Sequence, residues 1–337
     1  MQGSSDRESL SASDREMTLR REFEIAIRSA RLTLGGRTLI MGVLNVTPDS
    51  FSDAGRYFDP IRAVEHGVEL AQGGADWIDI GGESTRPGAQ PVPVEEELRR
   101  VLPVIRALHR KLRRVPISID TTKAQVAEQA LEAGASILND ISGLRFEPRL
   151  AEVACRYRTP LVLMHCRRRP ETMQSQPFAR DIWRSLANGF ETSIGRALAA
   201  GVKHSQLILD PGLGFGKSRR QNYQILAGLE KLQRFRLPLL VGASRKSFVQ
   251  AIVAGEGLES SQASASAGSY WPMARAHPRK SERRREPQQL SSVLLSTGDA
   301  AVVVAAILGG AHIVRVHEPA SILPAVRVAD ALIASLR

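Results

Sequence analysis

Polar residues follow the hydrophobic runs of this sequence at places where they could act together on one ligand: Asn45, Asp120, Asn139, Asp210, Lys246, Arg315 and His317. The carboxylates and amides can read the donor and acceptor edge of a flat heterocycle. The two cations, together with the histidine, could hold an anion. Each acid or amide taken alone could instead be a helix N-cap, and each cation could pair with a carboxylate. Their recurrence at the same place in successive runs favours a shared ligand site.

Two other patterns resemble functional motifs, but the first is discounted because of side-chain direction and the second because of residue spacing. His165 and Cys166 could indicate a metal site or a cysteine–histidine pair, yet adjacent residues at a strand end usually point to opposite faces. The glycine-rich stretch DPGLGFGKS ends as a phosphate-binding loop does. Such a loop needs four residues before its closing Gly-Lys-Ser, and only three separate Gly212 from Gly216. We therefore expect a tight turn that brings backbone close to a ligand.

Eight short runs of aliphatic and β-branched residues alternate with segments of helical periodicity. The runs are Thr38–Leu44, Trp77–Ile80, Pro116–Ile119, Ser136–Ile141, Pro160–Met164, Gln206–Leu209, Pro238–Val241 and His312–Val316. Strands that are apolar on both faces and alternate with helices belong to a parallel sheet covered by helices. The pattern predicts an α/β fold, a (β/α)8 TIM barrel, with an open doubly wound sheet as the alternative. In such a barrel the chemistry gathers at the carboxyl ends of the strands, where the polar residues fall.

The barrel is expected to be a single domain over residues 31–337, with two segments outside its plan. Residues 1–30 form a polar N-terminal extension in which Glu22–Arg31 could be a short amphipathic helix. Residues 255–291 are rich in Ser, Ala and Gly and then in Arg, which predicts a disordered insertion after the seventh strand. The loop TPDSFSDAGRYFD after the first strand suits a flap that closes over substrate.

Composition excludes several classes of protein. The chain has 337 residues and is 43% hydrophobic, which excludes wholesale disorder and collagen-like sequence. No apolar run approaches the roughly 20 residues of a membrane span, and no secretory signal is apparent, so we expect a cytoplasmic protein with no membrane partner. Two cysteines make a disulfide framework implausible. The net charge of +11 comes from short basic runs, which favours solvated surface or capture of a small polyanion over a nucleic-acid partner.

The motifs at the ends of the runs resemble those of the dihydropteroate synthase family, in the same order. They are NVTPDSFSDAG, IDIGGESTRPGA, SIDTTK, LNDISG, MH followed by PETMQ, LDPGLGFGK, GASRKSF and IVRVHE. The resemblance spans residues 38 to 320 apart from 255–291. It implies a TIM barrel that is usually a homodimer and needs Mg²⁺. It also implies a transferase, the target of sulfonamides in folate biosynthesis, which condenses 6-hydroxymethyl-7,8-dihydropterin pyrophosphate with p-aminobenzoate and releases pyrophosphate and 7,8-dihydropteroate.

The resemblance also implies roles for individual residues. The pterin would be bound by Asp120, Asn139, Met164, Asp210, Phe215, Gly242, Lys246 and Arg315, with Arg315 stacking on the ring. Pyrophosphate would be held by Asn45, Arg86, Arg315 and His317, with Asn45 also contacting Mg²⁺. The p-aminobenzoate pocket would be shaped by Phe51, Thr85, Arg86, Pro87 and Ser244. The catalytic residues would be Lys246, Asp120, Asp210, Arg315 and His317.

Three positions depart from the family pattern. The fifth-strand motif usually reads Met-His-Met, a small residue and Gly, whereas here Met164-His165 is followed by CRRRP. The connection after the seventh strand is usually shorter, and Glu318-Pro319 stands where Asp-Val is more usual. Two alternatives are a pterin-binding methyltetrahydrofolate methyltransferase and a non-catalytic barrel whose basic insertion binds a partner. The Ser-Arg-Lys motif that ends in Lys246 and the TPDSF flap favour the synthase over the methyltransferase.

Overall fold

The computed structural model of the chain describes residues 20–27, 30–47, 59–85, 88–167, 169, 178–242, 244–258 and 292–336. In chain order its strands are β1 (Phe23–Ile27), β2 (Ala30–Leu34), β3 (Leu39–Asn45), β4 (Trp77–Gly81), β5 (Ile117–Asp120), β6 (Ile137–Asp140), β7 (Leu161–Met164), β8 (Leu207–Asp210), β9 (Leu240–Gly242) and β10 (Ile313–Val316). The helices are α1 (Pro60–Gln72), α2 (Val94–Lys111), α3 (Ala124–Ala133), α4 (Leu150–Tyr157), α5 (Ile182–Ala199), α6 (Arg219–Ala227), α7 (Ser247–Val253), α8 (Ser292–Leu308) and α9 (Pro319–Ala334). Short 3₁₀ helices cover His204–Gln206 and Leu229–Phe235.

Eight parallel strands form a nearly closed barrel, which confirms the predicted fold and each of the eight predicted strands. The strands pair in the order β8, β7, β6, β5, β4, β3, β10, β9. Neighbours in this order share three to five paired residues. In the described part of the chain, β8 meets the segment before β9 through one isolated bridge, between Leu209 and Leu239. That bridge closes the ring, so the open-sheet alternative is wrong.

The helices form where the sequence supplies their ends and one apolar face. Asp59 caps α1 by accepting a hydrogen bond from the Ile61 N–H at 2.8 Å, and Pro60 occupies the first helical position. Gly134 ends α3 at a φ of +128°, where a Cβ would lie 2.6 Å from Cγ of His109. The helices bury their apolar faces against the outward side chains of the strands, such as Ile78 and Ile80. None of the described helices is both long enough and apolar enough to cross a membrane.

A hairpin of β1 and β2 packs against the amino end of the barrel. Ile25, Ile27 and Leu34 join the inward side chains at the starts of the barrel strands in one buried cluster. The expected helix over Glu22–Arg31 is therefore wrong, because apolar residues alternate along β1 with the period of a strand. The hairpin spans the predicted boundary at residue 30.

Two buried polar residues fasten the chain at this end of the barrel. Arg20 donates to the carbonyls of Gly35 and Ala311, each at 3.1 Å, and to Oδ1 of Asp330 at 3.0 Å. His312 accepts from the Leu239 N–H through Nδ1 at 3.1 Å, and its Nε2 lies 2.9 Å from the Arg21 carbonyl oxygen. The rest of the predicted extension, residues 1–19 and 28–29, and most of the predicted insertion, residues 259–291, lie outside the described residues.

Candidate functional site

The alternation of side chains along the barrel strands creates a cavity at their carboxyl ends. On β6 to β10, the residue two positions after an inward apolar side chain lines the cavity. These pairs are Ile137 and Asn139, Val162 and Met164, Ile208 and Asp210, Leu240 and Gly242, and Ile313 and Arg315. The barrel interior is thus apolar toward the amino ends of these strands and mostly polar at their carboxyl ends.

All eight residues that the family resemblance assigns to the pterin line this one cavity. The full lining is Thr85, Asp120, Asn139, Ile141, Met164, Asp210, Gly212, Leu213, Phe215, Gly242, Lys246 and Arg315. Thr85, predicted for the p-aminobenzoate pocket, lies in the same wall. The cavity combines a few converging polar groups with apolar walls, as sites for flat ligands do.

Arg315 links the acids on one side of the cavity. Its Nε donates to Oδ2 of Asp79 at 2.6 Å, and its Nη2 donates to Oδ2 of Asp120 at 3.0 Å. The same Asp79 oxygen accepts from Nδ2 of Asn139 at 3.0 Å. Asp79 was not among the predicted site residues, because it lies within a run that otherwise reads as a buried strand. An acid inside such a run was the available signal, since a buried carboxylate needs a partner.

Burial controls the protonation of the two carboxyl groups that line the cavity. Burial raises the pKa of Asp120, and the charge of Asp79 raises it further against the opposing effect of Arg315. Burial also raises the pKa of Asp210, whose Oδ1 accepts from the Gly212 N–H at 2.7 Å. A carboxyl group that holds its proton can donate a hydrogen bond to a ligand as well as accept one.

Lys246 places an ammonium group over an aromatic wall. Its Nζ lies 4.5 Å from the centroid of the Phe215 ring. Burial lowers the pKa of Lys246 to about 8, and the charge of Arg315 adds to that effect, while Asp210 and Asp120 oppose it. The group is therefore a cation at neutral pH that loses its proton more readily than an exposed lysine.

The glycine-rich loop after β8 is a tight turn, as predicted, and Lys217 holds it in place. Gly212 has a φ of +63°, and a Cβ there would lie 2.3 Å from the His165 carbonyl oxygen. Nζ of Lys217 donates to the carbonyls of His165, Gly212 and Phe215 at 2.9, 2.7 and 3.1 Å. Ser218 caps α6. Lys217 is thus turned into the protein and braces the wall of the cavity.

A second polar cluster joins the loops after β9 and β10. Ser244 Oγ donates to Oδ2 of Asp299 at 2.9 Å and lies 3.2 Å from Nδ1 of His317. The N–H of Arg245, at a φ of +57°, donates to the same Asp299 oxygen at 3.0 Å. The structure therefore brings together Ser244 and His317, predicted for different ligands. Asp299 was not predicted, although it is an acid in the otherwise apolar helix α8.

The remaining predicted residues divide into two groups. Asn45 ends β3, half-buried and paired in register with Gly81, which itself pairs with Asp120. Phe51, Arg86 and Pro87 lie outside the described residues. Among the described residues, no group of three or more His, Cys, Asp or Glu side chains could hold a metal ion.

The side chains of His165 and Cys166 lie in different surroundings. His165 is buried with Nε2 3.3 Å from Ser185 Oγ, and burial holds its pKa well below the usual range. Cys166 packs in a small apolar cluster with Ile141 and Met164.

Comparisons with known proteins give one consistent family. A family model described as pterin binding enzyme matches residues 41–317. The dihydropteroate synthase of Synechocystis is 43% identical over 88% of this chain and 91% of its own length. A structure of the Yersinia pestis dihydropteroate synthase with a sulfonamide drug is 37% identical, covers 93% of this chain and 100% of its own, and superposes with a TM-score of 0.76. The Xanthomonas albilineans dihydropteroate synthase with 4-aminobenzoic acid is 36% identical, covers 93% and 99%, and also has a TM-score of 0.76.

Proposed function

The chain belongs to the dihydropteroate synthase family of pterin-binding enzymes, and from this premise we propose which of its residues carry out the family's reaction. It is a transferase that joins 6-hydroxymethyl-7,8-dihydropterin pyrophosphate to p-aminobenzoate in folate biosynthesis, with release of pyrophosphate. The observation that best supports the residue assignment is the convergence of all eight predicted pterin residues on one cavity. The relatives give no support to the methyltransferase or the non-catalytic alternative.

The pterin ring binds in the cavity between Arg315 on one side and Met164 and Phe215 on the other. Asp120, Asn139 and Asp210 supply acceptors and donors for the polar edge of the ring. These three groups lie on neighbouring or nearby strands, and their backbones are fixed by the barrel. Lys246, above Phe215, completes the polar ring of contacts.

Pyrophosphate and p-aminobenzoate bind toward the rim, outside the ring pocket. Arg315 and His317 hold the pyrophosphate, together with Asn45 and Arg86. Ser244 and Thr85 shape the p-aminobenzoate pocket, with Phe51, Arg86 and Pro87. The hydrogen-bonded cluster of Ser244, Asp299 and His317 supports this proposal, because it links one residue of each subsite through α8.

Asn45 offers an amide oxygen that suits Mg²⁺. A hard cation prefers oxygen ligands, and Mg²⁺ usually keeps several waters while binding one or two protein groups and substrate phosphates. A single protein oxygen at the rim therefore fits this ion. When bound, Mg²⁺ supplies positive charge that neutralises the pyrophosphate. Asn45 then orients the pyrophosphate end of the substrate relative to the ring pocket.

The reaction exchanges one bond at the pterin methylene carbon for another. The bond to pyrophosphate oxygen breaks, and the leaving group's charge is met by Arg315 and His317. Positive charge develops on the methylene carbon and the ring, next to Asp120 and Asp210. The amine nitrogen of p-aminobenzoate then forms the new carbon–nitrogen bond and loses one proton, which the released pyrophosphate can accept. No covalent enzyme intermediate is needed.

Pyrophosphate release measures this function directly. Purified protein is supplied with dihydropterin pyrophosphate, Mg²⁺ and p-aminobenzoate, with and without a sulfonamide. We expect release that depends on p-aminobenzoate and is suppressed by the sulfonamide. Tight pterin binding without release would contradict the synthase and point to one of the two alternatives.

We also propose that the enzyme is a homodimer, because its family resemblance implies one, and that it works in the cytoplasm, as the sequence predicts. We propose the same division of the chain as in the sequence analysis, with an N-terminal extension over residues 1–30 and a barrel over residues 31–337. Light scattering on the purified chain gives its mass in solution. A mass of one chain at micromolar concentration would contradict the dimer.

A further inference from the structure

Asp79 is fully buried in the barrel and lies behind two residues of the cavity wall, Arg315 and Asn139. It projects inward from the middle of β4 with a relative exposure of 0%, and it is not part of the cavity lining. Removing a carboxylate from water carries a penalty of several kcal/mol unless partners replace the lost hydration. The partners of Asp79 are two groups that do line the cavity, Arg315 and Asn139.

The hydrogen bonds of Asp79 are arranged unevenly. Its Oδ2 accepts from both Nε of Arg315 and Nδ2 of Asn139, at 2.6 and 3.0 Å. Its Oδ1 is buried and has no partner among the described residues. For stability alone this is a poor arrangement, because replacing a buried ion pair with apolar side chains is often neutral or favourable. The geometry is better explained by what the shared oxygen does to its two partners.

Each partner is fixed in orientation by Asp79. Arg315 is held at two points, Nε on Asp79 and Nη2 on Asp120, so the plane of its guanidinium cannot rotate. The amide of Asn139 turns its nitrogen toward the carboxylate, since only the nitrogen can donate. Its oxygen is then available as an acceptor for the ligand.

We infer that Asp79 is a positioning residue for the reaction, which orients the Arg315 guanidinium and the Asn139 amide through one shared carboxylate oxygen. This inference rests on the proposed function, because both partners are assigned there to the pterin site. Asp79 itself touches no substrate. Its removal should therefore change how the pterin substrate is held, while the p-aminobenzoate subsite keeps its residues.

Two variants separate the charge from the hydrogen bonds. Asp79→Asn keeps the shape and one acceptor but removes the charge, and Asp79→Ser is too short to reach either partner. Since hydrogen bonds to charged groups contribute more than neutral ones, we expect kcat over KM for dihydropterin pyrophosphate to fall about tenfold or more in Asp79→Asn and further in Asp79→Ser. The KM for p-aminobenzoate should stay within about twofold of wild type.

Asp76→Asn is the matched control. Asp76 lies three residues earlier, at the other end of the barrel, and accepts from Arg37 Nη1 at 2.8 Å and from the Ile40 N–H at 2.9 Å. Its replacement should lower the melting temperature without a change in either KM. If Asp79→Asn behaves like this control, losing stability but not pterin recognition, the inference is overturned.

Pterin binding without turnover provides a second measurement. Fluorescence titration with an oxidised pterin should give a weaker affinity for Asp79→Asn and Asp79→Ser than for wild type. In a double-mutant cycle with Asn139→Ala, the losses should be non-additive if Asp79 acts through Asn139. Additive losses, or unchanged affinity in a folded variant, would overturn the inference. A wild-type protein that binds pterin but releases no pyrophosphate would instead count against the proposed function.

Discussion

Lys246 shows how a single residue takes its properties from its neighbours. Its ammonium lies against the Phe215 ring, and the charges of Arg315, Asp210, Asp120 and Asp299 act on it. The carboxylates favour the cation, whereas burial and the arginine disfavour it. The carboxylates therefore keep Lys246 a cation at neutral pH even though its side chain is buried.

Replacing Lys246 with alanine should abolish most turnover and leave the fold intact. The change removes a cation from the cavity but no side chain from the apolar core. We expect kcat over KM to fall about 100-fold or more, as when one preorganised donor is removed from an active site. Pyrophosphate release and circular dichroism test the two parts. Lys111→Ala, at the exposed end of α2, is the control, and a fully active Lys246→Ala enzyme would refute the pterin-site assignment.

The pH profile should report the same residue. The pKa of Lys246 is lowered to about 8, so the cation is present below that pH and is lost as the pH rises through it. We expect kcat over KM for the pterin substrate to fall on the alkaline side with an apparent pKa near 8. In Lys246→Arg the guanidinium stays charged, so any residual activity should lose the part of this limb that Lys246 causes. Burial raises the pKa of Asp120 to about 8 as well, and the part that Asp120 causes should remain. A flat wild-type profile to pH 10 would contradict the requirement for the cation.

At the scale of elements, what could be predicted depends on whether periodicity or a long-range contact decides the outcome. Eight strands were predictable because each is a short apolar run, and the barrel followed from their alternation with helices. The hairpin was missed because the alternation of β1 is short and its partner surface, the open end of the barrel, is not local in sequence. Asp79 and Asp299 were missed for the same reason, since their partners lie far away in the chain. The charged and amide residues of the cavity were predictable because they stand at the carboxyl ends of strands, whereas Met164, Phe215 and Gly242 were assigned only through the family resemblance.

Helices α7 and α8, on either side of the predicted insertion, pack directly on each other. A Cβ at Gly298 would lie 2.7 Å from Cγ2 of Val253 and 3.1 Å from Cγ1 of Val249, so the two helices are in close contact there. Since this contact does not involve residues 257–288, deleting them should leave kcat within a few-fold of wild type. Gly298→Val is the comparison, because it should push the helices apart and lower the melting temperature. Loss of activity in a folded deletion variant would show that the insertion takes part in the site.

Considered as a whole, the molecule separates its two ends by function. The carboxyl end of the barrel carries strained loops and buried charges, both of which usually reduce stability. The amino end carries the hairpin, Arg20 and His312, whose polar groups are paired within the protein. The stability that offsets this cost is expected to come from the apolar core between helices and strands, and from the paired groups at the amino end.

His312 should make stability depend on pH. Burial lowers its pKa from the ordinary value of about 6.5 to about 4, and the charge of Arg20 adds to the effect. Between these two values the unfolded chain binds a proton that the folded chain does not, so stability falls as the pH decreases from 6.5 to 4. The loss is about 3 kcal/mol at most, at 1.36 kcal/mol for each unit. Urea unfolding at several pH values measures it.

A matched pair of variants isolates His312 from other titrating groups. In His312→Asn, an amide oxygen can still accept from the Leu239 N–H, so the pH dependence should become shallower. His204→Asn changes an exposed histidine and should keep the wild-type slope. Equal slopes for His312→Asn and wild type would contradict this origin of the pH dependence.

The single bridge between Leu209 and Leu239 is the weakest backbone connection in the ring of barrel strands. Every other neighbouring pair of barrel strands would have to break several ladder contacts to separate, whereas β8 and β9 would lose one. The wall with Gly242 and Lys246 is thus joined to the wall with Asp210 by few backbone contacts, together with the packing of Lys246 on Phe215. We therefore expect the ring of strands to open locally along this line, between β8 and β9, before it opens elsewhere. Amide hydrogen exchange should accordingly be fastest along this line of the ring.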